Sequence, residues 1–265
     1  MELLMSTQTI KTYSWKMEPF NINSHKYTVR LAVNRQEVEK ALQLRFQVFN
    51  LELGEGLESS FKNRMDEDEY DDQCDHLLVI EKDSNAVIGT YRMQDSEMAH
   101  NGNGFYTANE FEINQLSSDI LGDAVELGRA CVHKDHRNGR VLYLLWRGLA
   151  HYLIHTKKRF LFGCCSLTTQ DPEEGKQVYS YLQQNDYIHP SIQIDVHPKY
   201  QCLDEARGVL KPEAVELPKL FQLYLDVGTT VCSAPALDQV FKTIDFFILM
   251  DIKNLSDQTK TLFFR

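Results

Sequence analysis

The chain has 265 residues, 43% of them hydrophobic, and a formal net charge of −10. This length and apolar content suffice for one large domain with its own core, and the negative charge argues against nucleic acid as a partner. Because the sequence contains neither an apolar run of about eighteen residues nor a secretory signal, we expect a cytoplasmic protein.

Residues 1–25 have weak periodicity and are predicted to form a mobile or covering arm, followed by a single domain over 26–265. Residues 26–33 alternate apolar and polar side chains, as a half-buried strand does. Asn34 can cap the following helix, in which apolar residues recur at helical spacing to about residue 53. Two apolar runs within 75–94, separated by the turn-rich "KDSNA", predict a hairpin.

The second half of the chain predicts a parallel crossover. Residues 125–134 and the apolar stretch 159–167 indicate two strands, and residues 138–158 between them indicate a helix. One stripe of this helix is apolar, and the opposite stripe is basic, with Arg140, Arg147, His151, His155 and Lys158. Further elements are a helix from Pro172 to Gln184, the stretch 190–196, a helix at 217–228 and an apolar run at 243–252. The pattern predicts a mixed α/β domain.

Charge is spread unevenly along the chain. Seven carboxylates lie within Asp66–Asp75, directly before the first strand of the predicted hairpin. From Arg129 to Arg159 there are eight Lys or Arg and one acid, so this segment carries +7 while the other 234 residues sum to −17. Such asymmetry suggests an interaction surface.

Four short motifs occur in a characteristic order: Arg45 and Phe49 in "LRFQVF", Asp68 and Asp71 in "DEYD", Arg92 in "GTYRM", and Glu126 and Arg129 in "ELGR". With them the chain resembles the GNAT acyltransferases, in particular the branch of acyl-homoserine-lactone synthases, N-acyl amino acid synthases and ornithine N-alpha-acyltransferases. The resemblance begins near Tyr27 and implies a mixed central sheet with splayed central strands, flanked by helices. Residues from about 200 to 265 would form a family-specific C-terminal extension.

The ornithine branch is favoured within this group. The stretches "ELGRACVHKDHRNGRVLYLLWRG" and "LPKLFQLYLDVGTTVCSAPALDQVFKTIDFFIL" resemble its members. The lactone synthases carry a tryptophan soon after the first motif, where this chain reads "NLELGEGLE". The resemblance implies transfer of a (3-hydroxy)fatty acyl chain to the α-amine of ornithine, giving lyso-ornithine lipid. Alternatives are acyl transfer to glycine or tyrosine, lactone synthesis, and a non-catalytic module that binds acyl carrier protein.

The resemblance also suggests roles for the motif residues. An α-amine with a pKa of about 8 is roughly a tenth free base at pH 7, far more than a side-chain ammonium. Glu126 is predicted to accept its proton during attack, and Arg129 belongs to the same predicted catalytic set. Asp68 and Asp71 would hold a side-chain ammonium while Arg45 or Arg92 pairs with the carboxylate; the alternative is a purely structural ion-pair network. The remaining acids are expected to be solvated, namely Asp66, Glu67, Glu69 and Asp72.

The donor is expected to be a fatty acyl chain on the phosphopantetheine arm of acyl carrier protein. In "RNGRVL" the glycine is displaced from the pattern of CoA-binding acetyltransferases, which makes acyl-CoA less favoured. An acidic carrier protein and its phosphate would contact a helix N-terminus and basic groups, predicted as Arg137, Gly139, Arg140, Arg147 and Lys158. Backbone N–H groups near Cys131 and Val132 are predicted to hold the oxyanion, with direct transfer favoured over acylation of Cys131.

We expect neither a permanent cofactor nor a metal site. The six cysteines form no CxxC pair, and "DEDEYDDQCDHL" fails as a calcium loop because its sixth residue is Asp71 and its twelfth is Leu77. Residues 160–167 and 243–250 are candidates for an acyl channel, with ordinary core as the alternative. Because donor and product are both amphiphilic, they would allow weak peripheral contact with a membrane.

Overall fold

The computed structural model describes residues 20–202 and 215–264. Most of the predicted N-terminal arm, residues 1–19, lies outside the described residues, as does part of the predicted C-terminal extension. The end of the arm joins the sheet. Phe20 is buried, and strand β1 (Ile22–Asn23) pairs antiparallel with β2 (Tyr27–Leu31).

The strands form one mixed sheet in the order β1-β2-β3-β4-β5-β6-β9-β7, with β8 also pairing with β9. The other strands are β3 (Asp75–Glu81), β4 (Val87–Asp95), β5 (Ala124–Val132), β6 (Phe160–Leu167), β7 (Thr230–Val231), β8 (Ala236–Asp238) and β9 (Thr243–Asp251). The predicted hairpin is confirmed as β3 and β4, and the predicted parallel pair as β5 and β6. The other neighbours pair antiparallel.

The predicted helices are present. They are α1 (Arg35–Arg45), α4 (Arg140–Thr156), α5 (Pro172–Gln184) and α6 (Lys219–Asp226), and the sequence pattern missed α2 (Ser96–Asn101), α3 (Ser118–Gly122) and α7 (Asp257–Phe263). Asn34 caps α1 by accepting a hydrogen bond from the Glu37 N–H at 3.0 Å, and α1 continues as a π-helix over Phe46–Glu52. Residues 190–196 make only isolated bridges.

Helices cover both faces of the sheet. On β3, Leu77 and Val79 join the core cluster of α4, whereas Leu78 and Ile80 pack with α1. Alternate side chains of a strand point to opposite faces, so α1 and α4 lie on opposite sides. This arrangement confirms the predicted mixed sheet flanked by helices. Within the described residues, no helix is long and apolar enough to cross a membrane.

The two central strands separate part-way along their length. β5 and β6 pair only at Ala124, Val125 and Glu126 of β5. A β-carbon on Gly163 would lie 2.3 Å from the carbonyl oxygen of Leu127, so only glycine permits this close approach. Beyond it, β6 continues to pair with β9 along its whole length. The predicted splay therefore begins directly after Glu126.

A bulge in β5 adds to the separation. Thr90 and Arg92 of β4 lie opposite Cys131 and Gly128, so two residues of β5 bulge against one of β4. Arg129, one of the two, has a φ of +52°, a conformation that non-glycine residues adopt mainly where the surroundings require it. The bulge lies in the part of β5 that no longer pairs with β6.

Candidate active site

A cavity of about 230 Å³ occupies the gap between the separated strands. It is lined by β5 from Glu126 to Ala130 and by β6 from Cys164 to Ser166, together with parts of β4, β9, α6 and the segment after the π-helix. Its wall contains charged groups of both signs, including Arg92, Arg129, Glu55 and Asp245. A mainly apolar cavity with a few charged groups, at the divergence of two strands, is the most suitable place for a reaction in this fold.

Beside the cavity, three arginines and three aspartates form an interlocked set, which we call the Arg–Asp network: Arg45, Arg92, Arg129, Asp66, Asp68 and Asp71. The Arg45 guanidinium donates to Asp66 at 2.7 Å and to both oxygens of Asp71 at 2.6 and 3.2 Å. Arg92 donates to Asp68 and Asp71, and Arg129 donates to Asp68 at 2.9 Å.

The network is buried and its charges balance. Arg45 is 1% exposed, and Asp66 and Asp71 are 0% exposed. Burial opposes ionisation of Asp71, but the charges of Arg45 and Arg92 outweigh it and hold the pKa of Asp71 far below its usual value. The pKa of Asp68 is lowered in the same way by Arg92 and Arg129. Each oxygen of these two carboxylates already accepts a hydrogen bond.

Glu126 lies at the point where the strands separate, and it lines the cavity. It is 5% exposed. Its carboxylate accepts hydrogen bonds from the backbone N–H groups of Tyr106 at 3.0 Å and Thr107 at 2.7 Å, from the Thr107 hydroxyl and from the Gln94 amide. A carboxylate offers about four acceptor positions, so Glu126 anchors the turn at residues 106–107 to β5.

A second set of acids lies on the other side of the cavity. We call Glu110, Asp238 and Asp245 the acid cluster; their nearest oxygens lie within 4.8 Å of one another, and all three are buried. Burial and the charges of Asp245 and Asp238 raise the pKa of Glu110 well above its usual value, and burial also raises the pKa of Asp245. No ion pair joins these acids to a cation in residues 20–202 and 215–264.

Comparison with known proteins identifies the family. Residues 44–147 match the family described as acetyltransferase (GNAT) domain. The L-ornithine N(alpha)-acyltransferase of Rhizobium meliloti is 33% identical over 242 residues, covering 86% of this chain and 80% of that protein. The enzyme of that name from Rhodobacter capsulatus is 32% identical, covering 90% of this chain and 95% of its own. The chain belongs to the L-ornithine N(alpha)-acyltransferase family. It is an acyltransferase.

Solved structures resemble this chain at lower sequence identity. The acyl-homoserine-lactone synthase LasI is 12% identical with a TM-score of 0.49, covering 91% of this chain and 96% of its own. FeeM, an N-acyl amino acid synthase from uncultured soil microbes, is 11% identical with a TM-score of 0.47, covering 87% and 94%.

The acidic segment of this chain differs from the prediction at Asp66. That residue was expected to be solvated, but it is fully buried because Arg45 draws it into the Arg–Asp network. Glu67 and Asp72 pair with Arg35 on α1, and Glu69 is exposed. The structure brings together the predicted residues Arg45, Arg92, Arg129, Asp68 and Asp71, with their charges directed at one another.

The donor-binding residues predicted for this chain are scattered around α4. Arg137 pairs with Glu52, and Lys158 donates to the Gly122 carbonyl at 2.6 Å. Arg147 is half-buried, and Phe20 stacks on His151 and His155. Gly139, at φ +79°, precedes the first turn of α4, and Arg140 is exposed there. Among the predicted donor-binding cations, Arg140 therefore presents an exposed charge at the N-terminus of α4.

The predicted oxyanion positions lie beside the cavity. Cys131 and Val132 pair with β4 and are not among the lining residues, whereas Gly128, Arg129 and Ala130 line the cavity. Burial raises the pKa of Cys131 to about 12, which keeps its thiol protonated at neutral pH.

Several residues of the site are missed by sequence reasoning. Gln94, Tyr106, Thr107 and Asp245 line the cavity, and Glu110 and Asp238 join Asp245 in the acid cluster. One signal was available: Asp245 is a lone acid inside "TIDFFILM", an otherwise apolar strand that was assigned to core or acyl channel. An acid in such a strand needs a reason to be there.

Proposed function

We propose that the protein transfers a (3-hydroxy)fatty acyl chain from acyl carrier protein to the α-amine of L-ornithine, giving lyso-ornithine lipid. The observation that carries the proposal is the 33% identity, over most of the chain, to a protein named L-ornithine N(alpha)-acyltransferase. The cavity between β5 and β6 supports it, because a thioester and an amine must meet in a site shielded from water. Family membership favours an enzyme over the non-catalytic carrier-binding module.

In the proposed reaction, the neutral α-nitrogen attacks the thioester carbonyl carbon and a C–N bond forms. The tetrahedral intermediate then expels the thiolate, the C–S bond breaks, and the nitrogen loses one proton while the thiolate gains one. Gly128, Arg129 and Ala130 of the bulge line the cavity, and their backbone N–H groups are the proposed donors to the oxyanion. The proposal thus moves the oxyanion donors a few residues before Cys131.

Glu126 is the proposed proton acceptor, directly or through water. Its four hydrogen bonds set a condition, because one of them must be exchanged for the proton that it receives. Glu126→Gln tests this role. If Glu126 is the base, the variant is expected to show a lower kcat, unchanged donor affinity and an altered pH–rate profile. If Glu126 only anchors the 106–107 turn, the variant would show a lower melting temperature and a pH–rate profile of unchanged shape.

The function itself is tested by incubating the purified protein with 3-hydroxyacyl carrier protein and single amino acids. Thiol release and the mass of the amide product are measured, with glycine and tyrosine as competing acceptors and 3-hydroxyacyl-CoA as a competing donor. The expected result is an N-acyl product with ornithine and the carrier protein. Product formation with glycine or tyrosine alone contradicts the acceptor assignment, and equal turnover with acyl-CoA contradicts the donor assignment.

The carrier surface is tested by charge reversal at the N-terminus of α4. Arg140→Glu is expected to lower kcat/KM for acyl carrier protein roughly tenfold or more at low salt, with a smaller effect at high salt. Lys157→Glu is the matched control, because Lys157 is an exposed cation just beyond the opposite end of the same helix. Equal losses for the two variants would contradict a docking site at this end of α4.

A further inference from the structure

Asp68 and Asp71 are poorly placed to recognise a cationic acceptor. Arginine nitrogens or backbone N–H groups already occupy each of their carboxylate oxygens. Glu126 is occupied by its four donors. An ammonium group entering the cavity would have to displace one of these contacts and leave a buried charge behind, which is costly.

The acid cluster differs in this respect. Asp245 lines the cavity and is 3% exposed, yet its Oδ1 has no hydrogen-bond partner, and neither has Oε2 of Glu110. Two further oxygens of the cluster are used locally, since Asp245 Oδ2 accepts from the Thr243 hydroxyl and Asp238 Oδ1 accepts from the N–H groups of Val240 and Phe241. Glu110 and Asp245 also lie close enough to share a proton, which helps to raise the pKa of Glu110. Asp245 is the member of the cluster that lines the cavity.

Other groups of the cavity fit an acceptor that carries both charges. Glu55 lies in the cavity wall, where burial and, to a smaller extent, the nearby charge of Asp245 raise its pKa. Arg129 lines the cavity and is 9% exposed on its side chain; its Nε makes no hydrogen bond but lies 3.5 Å from Asp66 Oδ2. Its charge also reaches Glu110, where it opposes the rise in pKa. The cavity wall thus holds a cation near a carboxylate with an unpartnered oxygen.

Buried carboxylates without a cation take up protons instead of staying charged, and a bound cation would favour their charged form again. We propose that Asp245, backed by Glu110 and Asp238, binds the side-chain ammonium of the acceptor and thereby selects a diamino acid. This inference rests on the proposed function and names the groups that read the acceptor. An ammonium has three N–H donors, for which the unpartnered oxygens of Asp245 and Glu110 are acceptors. A divalent cation is the rival occupant of these three carboxylates, and the test below distinguishes the two.

The test compares L-ornithine with L-norvaline, which has the same carbon chain without the ammonium. The wild type is expected to acylate ornithine with much the higher kcat/KM. Asp245→Asn is expected to lower kcat/KM for ornithine roughly 10- to 100-fold, chiefly through KM, since it replaces a charged hydrogen bond. The norvaline rate is expected to change much less than the ornithine rate, because norvaline has no ammonium for Asp245 to bind. Glu110 belongs to the same cluster as Asp245. Glu110→Gln is also expected to lower the ratio of kcat/KM for ornithine to kcat/KM for norvaline.

Asp83→Asn is the matched control, because Asp83 is an exposed acid at the tip of the β3–β4 turn. The proposal is overturned by a wild type that acylates both amino acids equally well, or by folded Asp245→Asn and Glu110→Gln variants that keep the wild-type ratio. It is also overturned if EDTA abolishes activity and a divalent cation restores it, because the cluster would then hold a metal. A wild type that acylates no amine at all refutes the proposed function itself.

Discussion

Two arginines on α1 allow the Arg–Asp network to be tested against a matched surface pair. Arg45 and Arg35 both contact the acidic segment, Arg45 through Asp66 and Asp71 and Arg35 through Glu67 and Asp72. The Arg45 side chain is 1% exposed and that of Arg35 is 36% exposed. The two substitutions therefore remove the same kind of group from the same helix in different surroundings.

Arg45→Met leaves the three carboxylates of the network, Asp66, Asp68 and Asp71, with only Arg92 and Arg129 to balance them. Breaking a buried ion pair by removing one partner costs about 3–5 kcal/mol, a large part of the 5–15 kcal/mol that typically separates folded from unfolded protein. The melting temperature of a chain this size falls by roughly 2–4 °C per kcal/mol, so a decrease of roughly 6–20 °C is expected. Arg35→Met should cost below about 1 kcal/mol, because exposed pairs contribute little.

Thermal and urea unfolding followed by circular dichroism provide the measurement. Arg45→Met combined with Asp66→Asn removes one charge of each sign, so the double variant should be more stable than Arg45→Met alone. Refutation would come from similar small losses for Arg45→Met and Arg35→Met, or from a double variant as unstable as the sum of its single changes. Either result would mean that the network is not a charge-balanced structural unit.

Two further predictions concern stability and strand separation. Burial raises the pKa of Asp75 to about 6 despite its hydrogen bond from Tyr152, so its favourable contribution, complete below about pH 4, is lost as the pH rises through 6. Asp75→Asn should stabilise the protein at pH 8 by at most about 3 kcal/mol and by little at pH 4, and a gain independent of pH in urea titrations would contradict this. Gly163→Ala should cost about 1–3 kcal/mol and lower acyl transfer, because its methyl group meets a backbone carbonyl at 2.3 Å. Gly122→Ala, which has open space around it, should leave melting temperature and turnover unchanged.

The order of helices and strands was predictable because it is set by local periodicity. The alternation in 26–33, the cap at Asn34 and the apolar stretch before Pro172 each act over a few residues, and β2, α1 and β6 appear where those patterns place them. Short elements such as β1 and α3 were missed, since they depend on pairing with distant segments.

The candidate site was predictable only in part, for the same reason. The motif order brought Arg45, Asp68, Asp71, Arg92 and Arg129 to attention, but sequence spacing does not show which carboxylate each guanidinium reaches. Asp66 illustrates this limit, because nothing nearby in the sequence indicates that it lies under Arg45. Glu110 and Asp245 are 135 positions apart and meet only because β9 pairs with β6 beside the turn that follows residue 106.

The two groups of acids differ in what balances them, and that difference bears on function. In the Arg–Asp network each carboxylate has its cation within the protein, so the network is complete without a substrate. The acid cluster has no such cation in the described residues, and burial raises the pKa of Glu110 and Asp245 instead. Stability alone would favour neutral side chains at those positions. Their presence beside the cavity is explained if the acceptor supplies the missing positive charge. The cluster then lowers stability while it is empty and gives selectivity for a cationic amino acid when that acceptor binds.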